Sequence, residues 1–274
     1  MFNFHDFKLA LAGLALGLAA PLAAHAESIL VQSTTSTKNS GLYDYILPKI
    51  QEETGLTVNV VAVGTGQAIK NAMNCDADVL LVHAKPSEQK FVADGFGVKR
   101  YDLMYNDFIL VGPKDDPAGV KDAKTVQDAL TRIAQSKALF ASRGDDSGTN
   151  KKEMILWGMT DVNPKDASGD WYRETGSGMG ATLNAAVGMN AYTMSDRATW
   201  INFKNKGDFQ IVFEGQPELF NQYGIIMVNP DKCPAVKVDA SKTFMDWLLS
   251  DHGQEVIASY KVDGQQLFFP NASK

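Results

Sequence analysis

The stretch SILVQSTTSTKNSGLYDYILPKIQEETGLTVNVVAVGTG, residues 28–66, decides the fold. It contains an apolar run at 28–32, apolar residues at helical spacing between Leu42 and Ile50, and a Val-rich run at 57–63. Gly55 follows the helical segment and is a typical helix stop. A helix between two strand-like runs predicts a β-α-β unit with parallel strands.

The same alternation continues to the end of the chain. A helical pattern follows Gly66, a strand covers 78–83, another helical pattern surrounds Phe91, and a strand at 107–113 ends in Pro113. This order predicts an α/β protein with mostly parallel central sheets. Beyond Pro113 the predicted helices cover 126–133, 149–157, 178–187 and about 241–259, and the predicted strands cover 139–142, the residues before Thr175, 191–195, 210–213 and 223–230.

Two similar strands, each ending in a proline, indicate how the chain is divided. The strand before Pro113 and the strand before Pro230 match two crossings between lobes. Lobe I is then discontinuous, with residues 27–110 and 221–274, and lobe II covers 111–220. Two crossing strands form a hinge, and hinge closure around a ligand is a common mechanism.

The first 26 residues have the pattern of a signal peptide. Lys8 precedes an apolar stretch at 9–22, and Ala24-His25-Ala26 fits the small-x-small rule for cleavage after Ala26. The apolar stretch is short for a membrane span. We therefore expect export of a soluble mature protein, most simply to a bacterial periplasm.

Bulk composition excludes some partners. The net charge of −6 at pH 7 disfavours a nucleic-acid partner, which requires a basic surface. An acidic protein that binds an anion must do so through local geometry. The two cysteines, Cys75 and Cys233, are consistent with one disulfide in an oxidising compartment or with two buried thiols.

Four turns rich in Ser, Thr and Gly separate strand-like runs from helical runs. We call 33–37 the first turn, 64–66 the second, 142–149 the third and 175–180 the fourth. Helix N-termini offer unpaired N–H donors and a partial positive charge, so several of them together make an anion site. Arg143 is the only full positive charge in the four turns. The pattern predicts a small oxyanion held mostly by neutral donors.

Each turn alone also has a structural explanation. Asp145, Ser147 or Thr149 serves equally well as a helix cap, with Arg143 as a surface charge. Residues 64–66 match only the start of a dinucleotide-binding fingerprint, since its third glycine is absent. Five hydroxyl residues in succession at 33–37 exceed what one cap needs. The four turns together favour an anion site.

Catalysis is poorly supplied. A secreted hydrolase would use Ser177 or Ser147 with a histidine, and only His83 and His252 follow the signal peptide. His83 at a strand end is more simply a polar cap or a buried, hydrogen-bonded imidazole. No Cys or His group has zinc-like spacing. A receptor for a larger organic anion would need an aromatic or apolar platform, which the four turns lack.

Several motifs resemble one known family. The chain is similar to the periplasmic tungstate-binding proteins of Tup-type ABC importers, within the type II periplasmic binding-protein fold. The resemblance covers nearly all of the mature chain. Its motifs are TTSTKNSGLYDYILP from Thr34, VGTGQAIKNA from Val63, ADVLLVHAKPSEQKFVADGFG from Ala77, YNDFILVGP from Tyr105, SRGDDSGTNKKE from Ser142, ETGSGMGATLNAA from Glu174 and YTMSDRATW from Tyr192.

The resemblance implies a two-lobed clamp that closes on an oxyanion and delivers it to a membrane permease. It implies no enzyme activity and no cofactor, and we expect a monomer. Met179 would act through its backbone N–H. The implied ligand set is Thr34, Thr35, Thr65, Arg143, Ser147, Thr149, Ser177, Gly178 and Met179. Cys75 and Cys233 are outside the family pattern, so their pairing stays open.

Proton chemistry separates the candidate anions. Tungstate and molybdate are dianions without a proton at neutral pH, so a pocket of donors suits them. Hydrogen phosphate needs an acceptor as well, and a mismatched buried polar group costs roughly 1–3 kcal/mol. Residues 82–86 contain no acid at the position where phosphate-binding relatives have one. Phosphate is therefore disfavoured, and sulfate is a smaller anion than tungstate or molybdate. The choice of tungstate over molybdate rests on the resemblance.

Overall fold

The chain alternates strands and helices from Ser28 onward, as the sequence predicts. The computed structural model describes residues 27–272, so the predicted signal peptide at 1–26 lies outside the described residues. The strands are β1 Ser28–Thr34, β2 Thr57–Val63, β3 Val79–Val82, β4 Gly97–Gly112, β5 Phe140–Ser142, β6 Tyr172–Glu174, β7 Tyr192–Asp196, β8 Gln210–Phe213, β9 Phe220–Val228, β10 Lys261–Val262, β11 Gln265–Gln266 and β12 Phe269–Pro270. The helices are α1 Thr35–Asn39, α2 Leu42–Thr54, α3 Thr65–Met73, α4 Lys85–Ala93, α5 Val126–Ser136, α6 Gly148–Trp157, α7 Met179–Met189, α8 Arg197–Asn202, α9 Val238–Leu249 and α10 Asp251–Ser259.

The first part of the sheet has the order β2-β1-β3-β9-β4. Strand β1 pairs in parallel with β2 and β3, whereas β9 runs antiparallel to both β3 and β4. The β1–β2 register runs from Ser28 opposite Thr57 to Thr34 opposite Val63. The carboxyl ends of β1 and β2 are therefore level, so the turns that follow them lie at the same edge.

The second part of the sheet has the order β4-β7-β5-β6, and β8 also pairs with β4. Strand β5 is parallel to β6 and β7, whereas β4 is antiparallel to β7. Strand β4 belongs to both parts: residues 97–107 pair with β9, and residues 108–112 pair with β7 and β8. The sheet is thus parallel among β1, β2 and β3 and among β5, β6 and β7, and every described pairing of β4 or β9 is antiparallel.

Three apolar clusters form the core. One packs α2, α9 and α10 on β1 and β9 and includes residues of α7 and α8. A second lies around Phe140, Trp157 and Tyr172, whose rings stack or meet edge to face. A third packs α3 and α4 on the other face of β3 and β9. These buried strands explain the continuous apolar runs in the sequence.

Most predicted elements are confirmed; the short elements α1 and β10 to β12 were not predicted, and there are differences at three further places. Helix α2 ends at Gly55, which is left-handed (φ +73°), and β2 has its predicted bounds. The single helix predicted at about 241–259 is wrong, because Ser250 is extended and its hydroxyl caps α10 by accepting from the Gly253 N–H. Helix α8 and residues 97–106 of β4 were not predicted.

Two further features concern stability and the membrane. Cys75, just after α3, and Cys233, after β9, are joined in a disulfide. Within residues 27–272, no helix has the length and apolar character needed to cross a bilayer.

Candidate functional site

The first turn joins β1 to α1. Thr34 ends the strand, and its hydroxyl oxygen accepts from the Thr37 N–H (3.2 Å), which makes it the cap of α1. The Ser33 hydroxyl lies 2.5 Å from the Tyr43 hydroxyl and donates to the Leu81 carbonyl (2.8 Å), so Ser33 supports the turn from behind. The hydroxyls of Thr35 and Ser36 take no part in these bonds and contact Arg143 instead.

Arg143 joins the first turn to the third. Its guanidinium is 2% exposed and donates from Nη1 to the Ser36 hydroxyl (3.1 Å) and from Nη2 to the Thr35 hydroxyl (3.1 Å). The same Nη2 donates to Asp145 Oδ2 (2.6 Å). The alternative of a solvated surface charge is therefore wrong, and Asp145 holds the guanidinium.

Local geometry aims the third turn. Gly144 is left-handed (φ +57°), and a Cβ there would lie 2.8 Å from the Glu174 Cβ, so only glycine fits. Asp145 Oδ1 accepts from the Ser147 N–H (3.2 Å). Ser147 caps α6 by accepting from the Asn150 N–H (3.1 Å). The turn thus ends at a helix N-terminus beside the Arg143 side chain.

The second turn meets the third directly. The Thr65 hydroxyl accepts from the Gly148 N–H (2.8 Å), and the Gly66 N–H donates to the Asp146 carbonyl (3.3 Å). Thr65 is fully buried and begins α3. Part of the donor capacity predicted for an anion therefore holds the two turns together.

The fourth turn meets the first at the start of α7. Gly178 caps this helix, and a Cβ on Gly178 would lie 3.4 Å from the Thr35 hydroxyl oxygen. The Ser177 hydroxyl donates to the Thr175 carbonyl (3.1 Å). The Met179 side chain is buried in the core, so only its backbone N–H is available at the turn.

Two buried polar atoms at these turns lack a protein partner within residues 27–272. They are Arg143 Nε and the Thr149 hydroxyl oxygen. Buried donors are nearly always paired in folded proteins, so each such atom requires an explanation. Both atoms can donate a hydrogen bond.

The structure thus brings some of the sequence-predicted residues together in two groups, and the members of each group contact one another. Thr35, Arg143 and Gly178 form one group, and Thr65 contacts the N-terminus of α6 in the other. Four predicted residues use their side chains elsewhere: the Thr34 and Ser147 hydroxyls are helix caps, the Ser177 hydroxyl bonds within its turn, and Met179 is a core residue.

Sequence reasoning missed a buried acid beside the site. Asp196 is fully buried and caps α8 through Oδ1, which accepts from the Thr199 N–H (2.9 Å). Its Oδ2 lacks a hydrogen-bond partner in the described part of the chain. Burial raises the pKa of Asp196 to about 6, although the positive charge of Arg143 opposes the shift. The available signal was the Asp-x-x-Thr spacing at 196–199, which is typical of a helix start.

Helix α8 also holds α1 from the other side. The Thr199 hydroxyl donates to the Ser36 carbonyl (3.1 Å), and the Asn202 amide donates to the Ser40 carbonyl. Helix α1 therefore lies between α8, α7 and Arg143. No sequence motif identified these bonds, because their partners are more than 150 residues apart.

The geometry does not assemble a hydrolase. His83 is buried and hydrogen-bonded, as the sequence predicts, but its partners are Thr34 and Asn221. The Ser147 hydroxyl accepts from the Asn150 N–H, and the Ser177 hydroxyl donates to the Thr175 carbonyl. Among residues 27–272, neither serine hydroxyl has a hydrogen bond to a histidine, as an activated nucleophile would.

Known proteins with this arrangement were found by sequence and by structure. Residues 21–252 match the PBP superfamily domain. The tungstate-binding protein TupA of Peptoclostridium acidaminophilum is 47% identical over 90% of this chain and 87% of the relative. A solved structure of the tungstate-binding protein TupA from Desulfovibrio alaskensis G20 is 45% identical, with a TM-score of 0.76, over 90% of this chain and 100% of that chain. A solved structure described as the tungstate ABC transporter from Geobacter sulfurreducens is 48% identical, with a TM-score of 0.78, over 85% of this chain and 99% of that chain.

Proposed function

We propose, since this chain belongs to the PBP superfamily and within it to the family of the TupA tungstate-binding proteins, that it is the tungstate receptor of an ABC importer. One observation carries the proposal beyond family membership. The Arg143 guanidinium is buried among neutral hydroxyls, and its Nε has no partner within residues 27–272. A buried guanidinium that is held by Asp145 and two hydroxyls and still has a donor without a partner suits a small oxyanion.

The donors favour an anion that carries no proton. Arg143 Nε, the Thr149 hydroxyl and the backbone N–H groups at the start of α7 can all donate, whereas the Gly148 and Asn150 N–H groups at the start of α6 already donate to Thr65 and Ser147. Asp145 is occupied by Arg143 and by the Ser147 N–H, so it does not serve as an acceptor for hydrogen phosphate. We propose tungstate over molybdate because the similar proteins bear that name.

We propose that the anion is bound by the predicted set in two ways. Arg143, Thr35 and Thr149 act through side chains, and Gly178 and Met179 act through backbone N–H groups at the start of α7. Thr34, Thr65, Ser147 and Ser177 hold the turns in position, and the N–H groups of their segments complete the shell. The contacts between turns support this division.

We also propose that the two lobes are 27–110 with 221–274, and 111–220. The change of pairing partners along β4, from β9 before residue 108 to β7 and β8 after it, supports this division. Tungstate should then close the lobes. Small-angle scattering should record a smaller radius of gyration with saturating tungstate, and an unchanged curve in an initially open protein contradicts the hinge.

Location, partner and assembly are part of the same proposal. The chain is exported to the periplasm, is cleaved after Ala26, works as a monomer without enzyme activity or cofactor, and delivers tungstate to a membrane permease. The family membership supports a transport role. The mass of the exported protein tests the cleavage site, since the mature chain should begin at Glu27.

A competition titration tests the proposed ligand. Calorimetry of the purified mature protein should record tight binding of tungstate, and added molybdate, sulfate and phosphate should compete in that decreasing order or not at all. Binding of phosphate with none of tungstate would refute the proposal. The same titrations of Asp196→Asn form a second arm. If Asp196 accepts a hydrogen bond from hydrogen phosphate, phosphate binding should depend on this acid.

A further inference from the structure

His83 lies at the carboxyl end of β3 and is almost fully buried. Its ring stacks on Tyr223 (4.8 Å between centroids) and approaches Phe108 (6.2 Å). A Cβ on Gly148 would lie 2.9 Å from His83 Cε1, so the third turn packs against the ring edge. The side chain is 5% exposed.

Both ring nitrogens of His83 have hydrogen-bond partners in different parts of the chain. Nδ1 lies 3.0 Å from Asn221 Oδ1, on β9. Nε2 lies 3.2 Å from the Thr34 hydroxyl oxygen, in the first turn. Burial lowers the pKa of His83 to about 4, and Arg143 adds to this shift, so the imidazole is neutral near pH 7 and carries one N–H.

The Asn221 amide decides which nitrogen carries that hydrogen. Its Nδ2 donates to Asn106 Oδ1 (2.7 Å), and it lies 3.5 Å from the Tyr223 hydroxyl. Oδ1 of Asn221 is left facing His83, and an amide oxygen only accepts. With the Asn221 amide in this orientation, the hydrogen is on Nδ1, and Nε2 is a bare acceptor.

The tautomer fixes the role of Thr34. Its hydroxyl has one hydrogen, which goes to the bare Nε2 of His83. Its oxygen then accepts from the Thr37 N–H (3.2 Å) and from the Thr37 hydroxyl (2.8 Å). Thr34 has no hydroxyl hydrogen left for an anion. Its contribution is to hold the start of α1, whose next residues, Thr35 and Ser36, contact Arg143.

The other end of this chain of hydrogen bonds lies where the sheet changes partners. Asn106 on β4 and Asn221 on β9 are opposite each other in the antiparallel register. Residues after Asp107 on β4 pair with β7 and β8 instead. The hydrogen bonds thus run from the crossing strands through His83 to the first turn.

We propose that His83 is a positioning residue for the oxyanion: as the Nδ1–H tautomer it takes the hydroxyl hydrogen of Thr34 and ties the first turn to Asn221 on the crossing strand. This inference rests on the proposed function for its ligand. The arrangement of hydrogen bonds stands without it. Removal of the link should weaken anion binding because α1 is no longer held in place for Arg143 and for closure.

Side-chain nitrogen NMR of the full mature protein tests the tautomer without any ligand. In the wild type, Nδ1 of His83 should be protonated and Nε2 bare near pH 7. Exposed His252 serves as the internal reference, and His83→Phe assigns the signal. Asn221→Leu should move the hydrogen to Nε2, since Thr34 is then the only acceptor. A wild-type Nε2–H tautomer or an imidazolium overturns the proposal.

A double-mutant cycle tests the positioning role, with tungstate titration as the readout. Thr34→Val and His83→Phe should each lower affinity at least about tenfold, because each removes the hydrogen bond between the two side chains, near 1.4 kcal/mol when buried. The double variant should be no weaker than the weaker single variant, because the bond that the two side chains share is already absent in each. Exposed Thr243→Val is the matched control. Additive losses, or no loss in either single variant, overturn the proposal.

The two arms separate the two proposals. Absence of tungstate binding in the wild type would defeat the proposed function, while the NMR result would still decide the tautomer and the Thr34 bond. Melting curves of each variant identify any loss of folding. Thr34→Ser keeps the hydroxyl and should bind tungstate with near wild-type affinity, which assigns the loss in Thr34→Val to the hydroxyl, while the double-mutant cycle separates the bond to His83 from the cap of α1.

Discussion

Replacement of Arg143 by Gln should reduce tungstate affinity more than any other single change in the four turns. The guanidinium donates to Ser36, Thr35 and Asp145 and keeps Nε free for a ligand. Nε and the second N–H of Nη1 are the two donors left for the anion; a hydrogen bond to a charged group contributes about 1.5–3 kcal/mol, so loss of both amounts to about 3–6 kcal/mol. Every 1.4 kcal/mol is a factor of about ten, so affinity should fall about 10²- to 10⁴-fold.

The uncovered Asp145 carboxylate adds to that loss. In the wild type it is paired with Arg143 at 2.6 Å, and its side chain is 15% exposed. Without its partner it repels a dianion. The double variant Arg143→Gln/Asp145→Asn removes this repulsion and should bind more tightly than Arg143→Gln, while it remains at least about tenfold weaker than the wild type.

Calorimetric titration with tungstate measures both variants, and melting curves check that each is folded. Arg132→Gln is the matched control, because Arg132 forms a surface ion pair with Asp128 and should leave affinity unchanged. If Arg143→Gln binds tungstate within about threefold of the wild type, a difference below about 1 kcal/mol, Arg143 lies outside the pocket.

Three further predictions concern the turns, the disulfide and a buried acid. Gly148→Ala places a Cβ 2.9 Å from His83 Cε1 and should weaken tungstate binding, whereas Gly188→Ala, with open space around its Cβ, should not; equal affinities of the two variants would contradict the packing argument. Cys75→Ala/Cys233→Ala should lower the free energy of unfolding by roughly 4–5 kcal/mol, because the disulfide spans 158 residues; a urea melt with no loss of stability would refute this. Tungstate affinity should be unchanged, because the disulfide lies at the far end of α3 from the second turn. Burial raises the pKa of Glu153 from 4.5 to about 7, so the protonated side chain stabilises the fold fully below about pH 4.5, and this stabilisation, of order 3 kcal/mol, is lost as the pH rises through 7. Glu153→Gln should flatten this pH dependence of the unfolding free energy, and an unchanged slope would count against a buried, protonated Glu153.

The long elements could be predicted from the sequence because each has a strong periodicity and a clear stop. Helix α2 has apolar residues at helical spacing and ends at Gly55, and β2 is a run of Val. Helix α8 is six residues long and too short for a periodic pattern. The break between α9 and α10 depends on a bond from the Gly253 N–H to the Ser250 hydroxyl, which competes with a continuous helix.

The composition of the site could be predicted, but its pairings could not. Hydroxyl and glycine residues at strand ends indicate an anion site, and Arg143 is the obvious cation. Which hydroxyls hold the turns together depends on contacts between distant segments, such as Thr65 with Gly148 and Thr199 with Ser36. The hydrogen count of the Thr34 hydroxyl depends on His83 and Asn221, which are separated by 138 residues.

The central claim is that separate turns meet around one guanidinium to hold a proton-free tetrahedral anion. A crystal grown with tungstate tests it most directly, because the anomalous signal of tungsten locates the ion without reference to the protein. The peak should lie within hydrogen-bond distance of the Arg143 side chain and of the turn at Gly178. A tungsten peak away from Arg143, or turns that lie apart around a bound ion, would contradict it.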